Sequence, residues 1–195
     1  MPLADLIRDN PILIRHMRAR LRWQQVVTAL VVVLVLSGCL TLLGLLSLLT
    51  GDPNSDQTWY SAVIMTIILQ GLILFLVGGA QVGNAVGQAR ESGMMDFHRI
   101  SPQSPSALVL GFLLGGPVRE YMMFACTLPG FAILVTTVPE SLLLDGHLQV
   151  DQLWLLPLVM LVLALLYHAI GVVGGLSVAG AQRRSAGVLV ILVVI

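Results

Sequence analysis

The sequence predicts an all-α fold, a polytopic transmembrane helical bundle. It has four complete spans, a truncated fifth, an amphipathic interfacial helix at the amino terminus and a short charged helix between the second and third spans. Three observations carry this. Of 195 residues, 57% are hydrophobic and 10% charged, against roughly 25% charged in soluble domains. The apolar residues fall in blocks, and 26–49, 59–80, 117–138 and 153–178 each supply the roughly 20 residues that a hydrocarbon core about 30 Å thick requires. The ten basic residues are all arginine, and every one falls on the same side of those blocks.

Residues 1–25 contain Asn10-Pro11, then Ile12, Leu13, Ile14, Met17 and Leu21 interleaved with Arg15, His16, Arg18, Arg20 and Arg22. Such a segment suits either an amphipathic helix in the headgroup layer or a simple basic flank that fixes topology. Trp23 stands where an interfacial aromatic would. The apolar run that follows is longer than the roughly 7–15 residues of a signal-peptide core, so it reads as a retained span. It is rich in leucine and valine, as a packing helix is.

Arg90 and Arg99 lie between the second and third spans, Arg119 opens the third, and Arg183 and Arg184 follow the fourth. The intervening 50–58 and 139–152 loops carry Asp52, Asp56, Glu140, Asp145 and Asp151 and no base. Basic residues near span ends mark the cytoplasmic side. The amino terminus and the 81–106 loop are therefore expected in the cytoplasm, and Trp59-Tyr60 is expected to form an aromatic belt on the opposite side.

The second span ends with Gly79, Gly83 and Gly87 on one helical face, and similar small faces occur at Gly111/Gly115 and Gly171/Gly175/Ala179. Such faces let helices approach closely, either within one chain or between two. Cys39 and Cys126 sit in separate spans and read as small apolar residues, neither a disulfide framework nor a metal site.

The polar passage 88–111 holds the main functional candidates. Residues 89–100 suit a short helix carrying Arg90, Glu91, Asp96, His98 and Arg99, stopped by Ser101-Pro102. Ser104-Pro105 then signals a fresh start, with a hydroxyl cap and proline at the first helical position. Gly115-Gly116-Pro117 separates 107–114, an interfacial or re-entrant piece, from the third span. Arg119 and Glu120 fall in the first turn of that span, near the cytoplasmic surface, where both are expected to reach water or each other's partners. Pro129-Gly130 is expected to kink it. His168, inside the fourth span, is either a functional ionisable group or a neutral histidine bonded to a neighbouring helix, for which Gln70 is one possible partner.

No Walker-type loop is possible without lysine, no H-E-x-x-H or G-x-S-x-G is present, and the histidines are scattered. No catalytic residue, cofactor or metal ligand is expected in this chain.

Asn10-Pro11-Ile12-Leu13-Ile14-Arg15 with Arg18 and Arg20, Ala89-Arg90-Glu91-Ser92-Gly93-Met94-Met95-Asp96, Ile100-Ser101-Pro102-Gln103-Ser104-Pro105 and Val109-Leu110-Gly111 together resemble the permease subunit of a type-2 ABC transporter. The order and spacing agree over roughly residues 10–185. The resemblance implies a single permease domain over 1–195, with six spans in the complete protein, so the nine-residue run 187–195 reads as a fifth span cut short. It also implies that 89–100 is a coupling helix seated on a separate ATP-binding cassette ATPase subunit. Arg90, Glu91, Asp96 and Arg99 would then make ion pairs with that partner, around Gly93, while Met94, Met95 and Phe97 fill an apolar groove. Two permease halves, as homodimer or heterodimer, would pair in the bilayer of a bacterial cytoplasmic membrane, with no nucleic-acid partner. The spans offer no charged cavity for a hydrophilic ion, which favours an amphipathic or lipid-like cargo. The rival expectation is a non-transporting membrane scaffold that recruits a cytoplasmic partner through the same loop; a secondary transporter ranks third, lacking paired intramembrane acids.

Overall fold

A computed structural model describes residues 10–50, 54–96, 104–139 and 150–177. Six helices organise these residues: α1 (Pro11–Arg20), α2 (Trp23–Thr50), α3 (Ser55–Glu91), α4 (Pro105–Gly115), α5 (Val118–Thr136) and α6 (Val150–Ser177). Helices α2, α3, α5 and α6 are long and apolar enough to cross a membrane, the build of an integral membrane protein. No strand occurs among the described residues. The expected fifth span, at 187–195, lies outside them.

Local chemistry explains the helix boundaries. Asn10 caps α1, its side-chain oxygen accepting from the N–H groups of Ile12 and Leu13, with Pro11 at the first helical position. Ser104 Oγ accepts from Ala107 N–H at 3.3 Å and Pro105 opens α4, as the Ser-Pro pair predicts. The turn at Gly116-Pro117 separates α4 from α5. Pro129 is carried within α5.

Helix α2 turns one narrow stripe inward, through Val26, Val33, Ser37, Thr41, Gly44 and Ser47, and packs on α3 and α5. Its leucines and valines face outward: Leu42 and Leu43 are each 57% exposed. In water that would be costly; against lipid it is the expected arrangement. Hydroxyls in the stripe bond back to their own helix, as Thr41 does to the Ser37 carbonyl at 2.9 Å.

Three apolar clusters fill the bundle along its length. One, around Trp59, Phe131 and Leu134, lies far from the described arginines. A central one joins Val33, Leu74, Phe124 and Ala164. The third, at the arginine-bearing end, joins Ile12 of α1, Val82, Ala85, Val86 and Ala89 of α3, Phe112 of α4 and Val172 of α6. Trp59 is fully buried and its indole N–H donates to the Leu134 carbonyl at 3.1 Å, so it is a core anchor and not part of a lipid-facing belt. Tyr60 faces outward as expected, and Trp23 is 80% exposed.

The small-residue faces are used within the chain. A Cβ on Gly171 would stand 3.3 Å from the Gly79 carbonyl oxygen, and one on Gly175 would stand 2.9 Å from that of Gly83. Helices α3 and α6 thus touch backbone to backbone. Gly111 and Gly115 serve the same purpose for α4, meeting Ile12 and His16 of α1. Ala179 lies outside the described residues.

The second span differs from a regular helix. Helix α3 runs unbroken for 37 residues, and Leu72–Gly78 within it is π-helical. Apolar periodicity gives no sign of this widened turn.

Candidate functional site: the arginine-bearing end and the polar network beneath it

The 89–100 candidate helix is divided in the structure. Ala89, Arg90 and Glu91 complete α3, the chain turns at Ser92-Gly93, and helical backbone resumes at Met94–Asp96. Gly93 has φ +70, a left-handed conformation that glycine adopts without the penalty of a Cβ. The Ser92 N–H donates to the Gln88 carbonyl at 3.0 Å, closing the helix before the turn. A continuous helix from Ala89 is therefore replaced by a helix end, a glycine turn and a new helical segment. Phe97, His98 and Arg99 lie outside the described residues.

The side chains of this passage are divided between solvent and the chain itself. Arg90, Glu91 and Asp96 are exposed. Arg90 Nη1 donates to the Leu176 carbonyl at 2.5 Å, tying the end of α3 to the end of α6. Met94 and Met95 are half-buried against the cluster of Ile12, Val82 and Phe112. Part of their apolar surface is thus covered by this chain, and the rest is exposed. Arg15 Nη1 reaches Met94 Sδ at 2.7 Å.

Helix α1 is clamped onto α4 by the residue that caps it. Asn10 is 3% exposed, and while its carbonyl oxygen caps α1 its Nδ2 donates to the Ala107 carbonyl at 2.6 Å. His16 meets Phe112 edge to face, ring centroids 5.2 Å apart. Burial lowers the His16 pKa, with the charges of Arg20 and Arg15 acting in the same direction.

Beneath α1, Arg119 and Glu120 open α5. Of the two expected outcomes for Glu120, water or a partner, the structure shows the partner: Glu120 is fully buried. Helix α1, which sequence alone does not place, lies over this end of α5. Arg119 Nη2 and Nε both donate to Glu120 Oε1, at 2.9 and 3.2 Å. Glu120 Oε2 has no hydrogen-bond partner among the described residues. Arg20 of α1 donates to Gln81 Oε1 of α3. Burial lowers the Arg20 pKa, the Glu120 carboxylate opposes that shift, and Arg119 adds to it.

Deeper in the bundle His168 is fully buried. Its Nε2 lies 2.9 Å from the Leu74 carbonyl oxygen in the π-helical turn, and its Nδ1 lies 2.8 Å from the Tyr121 hydroxyl. A carbonyl only accepts, so Nε2 carries the proton and donates to Leu74. In the neutral ring Nδ1 then accepts from Tyr121. The partner is backbone and tyrosine; Gln70 instead donates to Thr127 Oγ1 at 2.9 Å. Sequence reasoning singled out His168, Arg119 and Glu120 but passed over Arg20, Gln81 and Tyr121.

No group of three or more metal-ligating side chains occurs among the described residues. Comparison with known proteins gives no match to a family model, to a curated protein or to a solved structure.

Proposed function

We propose that this chain is the membrane-spanning permease subunit of an ATP-driven ABC exporter, in which a separate ATPase subunit acts on the turn at Gly93–Asp96. The observation that carries the proposal is the mechanical continuity of the arginine-bearing end. Met94 contacts Arg15 on α1, Asn10 joins α1 to α4, and Arg90 joins α3 to α6. A push on the short segment after Gly93 therefore reaches three other helices. Helix α3 carries the displacement through its full length, and its π-helical turn, held by His168, is the natural place for it to bend.

In this reading the amino terminus and the turn are cytoplasmic, the membrane is a bacterial cytoplasmic membrane, and a second permease half, identical or different, completes the translocation path. Arg90, Glu91 and Asp96 stand exposed beside Gly93 and supply charges for steering the ATPase. The residues after Asp96 complete the contact. ATP binding and hydrolysis occur in the partner, and the spans of this chain rock between inward and outward access.

The test is purification of the tagged chain from its native membrane under mild extraction, with a Glu91→Arg variant in parallel. An ATPase subunit that accompanies the parent, and is lost or no longer stimulated in the variant, is the expected result. Absence of any ATPase, under extraction that keeps other membrane complexes whole, overturns the proposal in favour of a scaffold that recruits a different partner.

A further inference from the structure

A cavity of about 450 Å³ lies between α1 and the last turns of α3, within the roughly 300–1,000 Å³ of small-molecule sites. Arg15, His16 and Arg20 form one wall, Gln88 and Ser92 stand opposite, and the remaining lining is aliphatic side chain and Met94. Among the described residues no carboxylate lines it.

Among the described residues, the donors in this cavity outnumber the acceptors they meet. The acceptor that Arg15 finds among the described residues is the Met94 thioether, a weak one. Arg20 gives one N–H to Gln81 and has others left. The lowered pKa of His16 reflects burial first, and then the charges of Arg20 and Arg15; the carboxylate that acts on Arg20 is Glu120, which does not line the cavity. Arg15 and Arg18 are both exposed, but Arg18 does not line the cavity, so the convergence is particular to one face of α1.

We propose that this cavity binds a phosphate-bearing anion, its oxygens held by Arg15 and Arg20 with Gln88 and Ser92 completing the cradle. Arginine forks suit phosphate oxygens, and the aliphatic floor suits the stem of an anionic phospholipid. The cavity lies at the arginine-bearing end of the bundle, where a basic amphipathic helix such as α1 would meet the headgroup layer. A lipid phosphodiester and a free phosphate share the recognised chemistry, and the experiment separates them.

The full chain is reconstituted in nanodiscs of phosphatidylcholine containing a minor fraction of phosphatidylglycerol, and lipid retained on the protein after release is counted by native mass spectrometry. Parent, Arg15→Gln and Arg18→Gln are compared. Both variants remove one charge from α1, so diffuse attraction to an anionic surface affects them equally. The expected result is a loss of retained phosphatidylglycerol on the order of tenfold in Arg15→Gln, as for a charge-assisted hydrogen bond, and less than roughly twofold in Arg18→Gln. Ser92→Leu changes an exposed position without changing charge and narrows the cavity; retention falls here too. Displacement of the lipid by millimolar inorganic phosphate, or thermal protection of the parent by phosphate alone, supports the same site filled from solution. Equal losses in Arg15→Gln and Arg18→Gln, or unchanged retention in both Arg15→Gln and Ser92→Leu with no effect of phosphate, overturns the proposal.

Discussion

His168 Nε2 stands 2.9 Å from the Leu74 carbonyl oxygen, inside the π-helical turn of the neighbouring helix, and the same nitrogen would lie 2.7 Å from a Cβ placed on Gly78. The imidazole occupies the space left by the missing side chain and supplies a donor to the widened turn. Gly78→Ala should therefore push the ring out and destabilise the bundle by about 1–3 kcal/mol, the usual cost of overpacking. Gly38→Ala, where a Cβ meets nothing within 4 Å, is the matched control. Thermal unfolding in detergent checks both; equal melting temperatures for the two variants would count against the inserted imidazole.

The Arg119–Glu120 pair makes a different kind of prediction. Glu120 is fully buried, so Arg119→Ala leaves a carboxylate without its two closest donors. Breaking a buried pair from one side typically costs about 3–5 kcal/mol, whereas replacing both members with apolar residues of similar size is often neutral. Arg119→Met with Glu120→Leu should recover most of the stability lost in Arg119→Ala. A double variant no more stable than the single would show that Glu120 has a further partner that Arg119 does not represent.

His16 gives a pH dependence with a definite sign. Its pKa in the folded protein is lowered from 6.5, by burial first and then by Arg20 and Arg15. The unfolded chain therefore binds more protons than the folded one in the window below 6.5, and stability rises with pH there. The contribution is complete above that value and is lost as pH falls through the folded pKa. The melting temperature of the parent should drop on acidification from neutral pH more steeply than that of His16→Gln. Parallel curves for the two proteins would assign the acid sensitivity to other groups.

How much of this was legible follows from the range of each interaction. Spans 26–49 and 59–80 lie within observed helices, and helices Val118–Thr136 and Val150–Ser177 fall at nearly the positions expected for the other two, because hydrophobic length against a fixed bilayer thickness is a property of the local chain. The Ser104-Pro105 start of α4 was legible for the same reason. The full burial of Glu120 is not legible locally, because α1 lies across this end of α5, a contact between residues about 100 positions apart. Trp59 was misjudged because a tryptophan at a span end fits an interfacial belt and a core anchor equally well until Leu134 is placed beside it. The π-turn leaves the apolar pattern intact, so only His168 and Gly78, brought together by folding, reveal its position. The helix from Ala89 was misdrawn because Gly93 was read as part of a family motif and not as the helix stop its φ of +70 makes it.

Gly93 therefore carries a prediction that joins fold to function. A left-handed φ costs an ordinary residue roughly 1–2 kcal/mol, and asparagine tolerates it better than alanine. A Cβ on Gly93 meets nothing within 4 Å, so Gly93→Ala changes backbone preference without creating a clash. The expected outcome is a local effect: the turn is destabilised by about 1 kcal/mol, Gly93→Asn recovers part of it, and the spans melt close to the parent. Hydrogen exchange at Met94–Asp96 should speed up in Gly93→Ala while exchange in the central cluster around Leu74 and Phe124 stays unchanged. If the turn is also the segment on which an ATPase acts, partner-stimulated ATP hydrolysis should fall in Gly93→Ala and return in part with Gly93→Asn. Full stimulation in Gly93→Ala, alongside demonstrably faster exchange of the turn, would move the coupling contact away from Met94–Asp96.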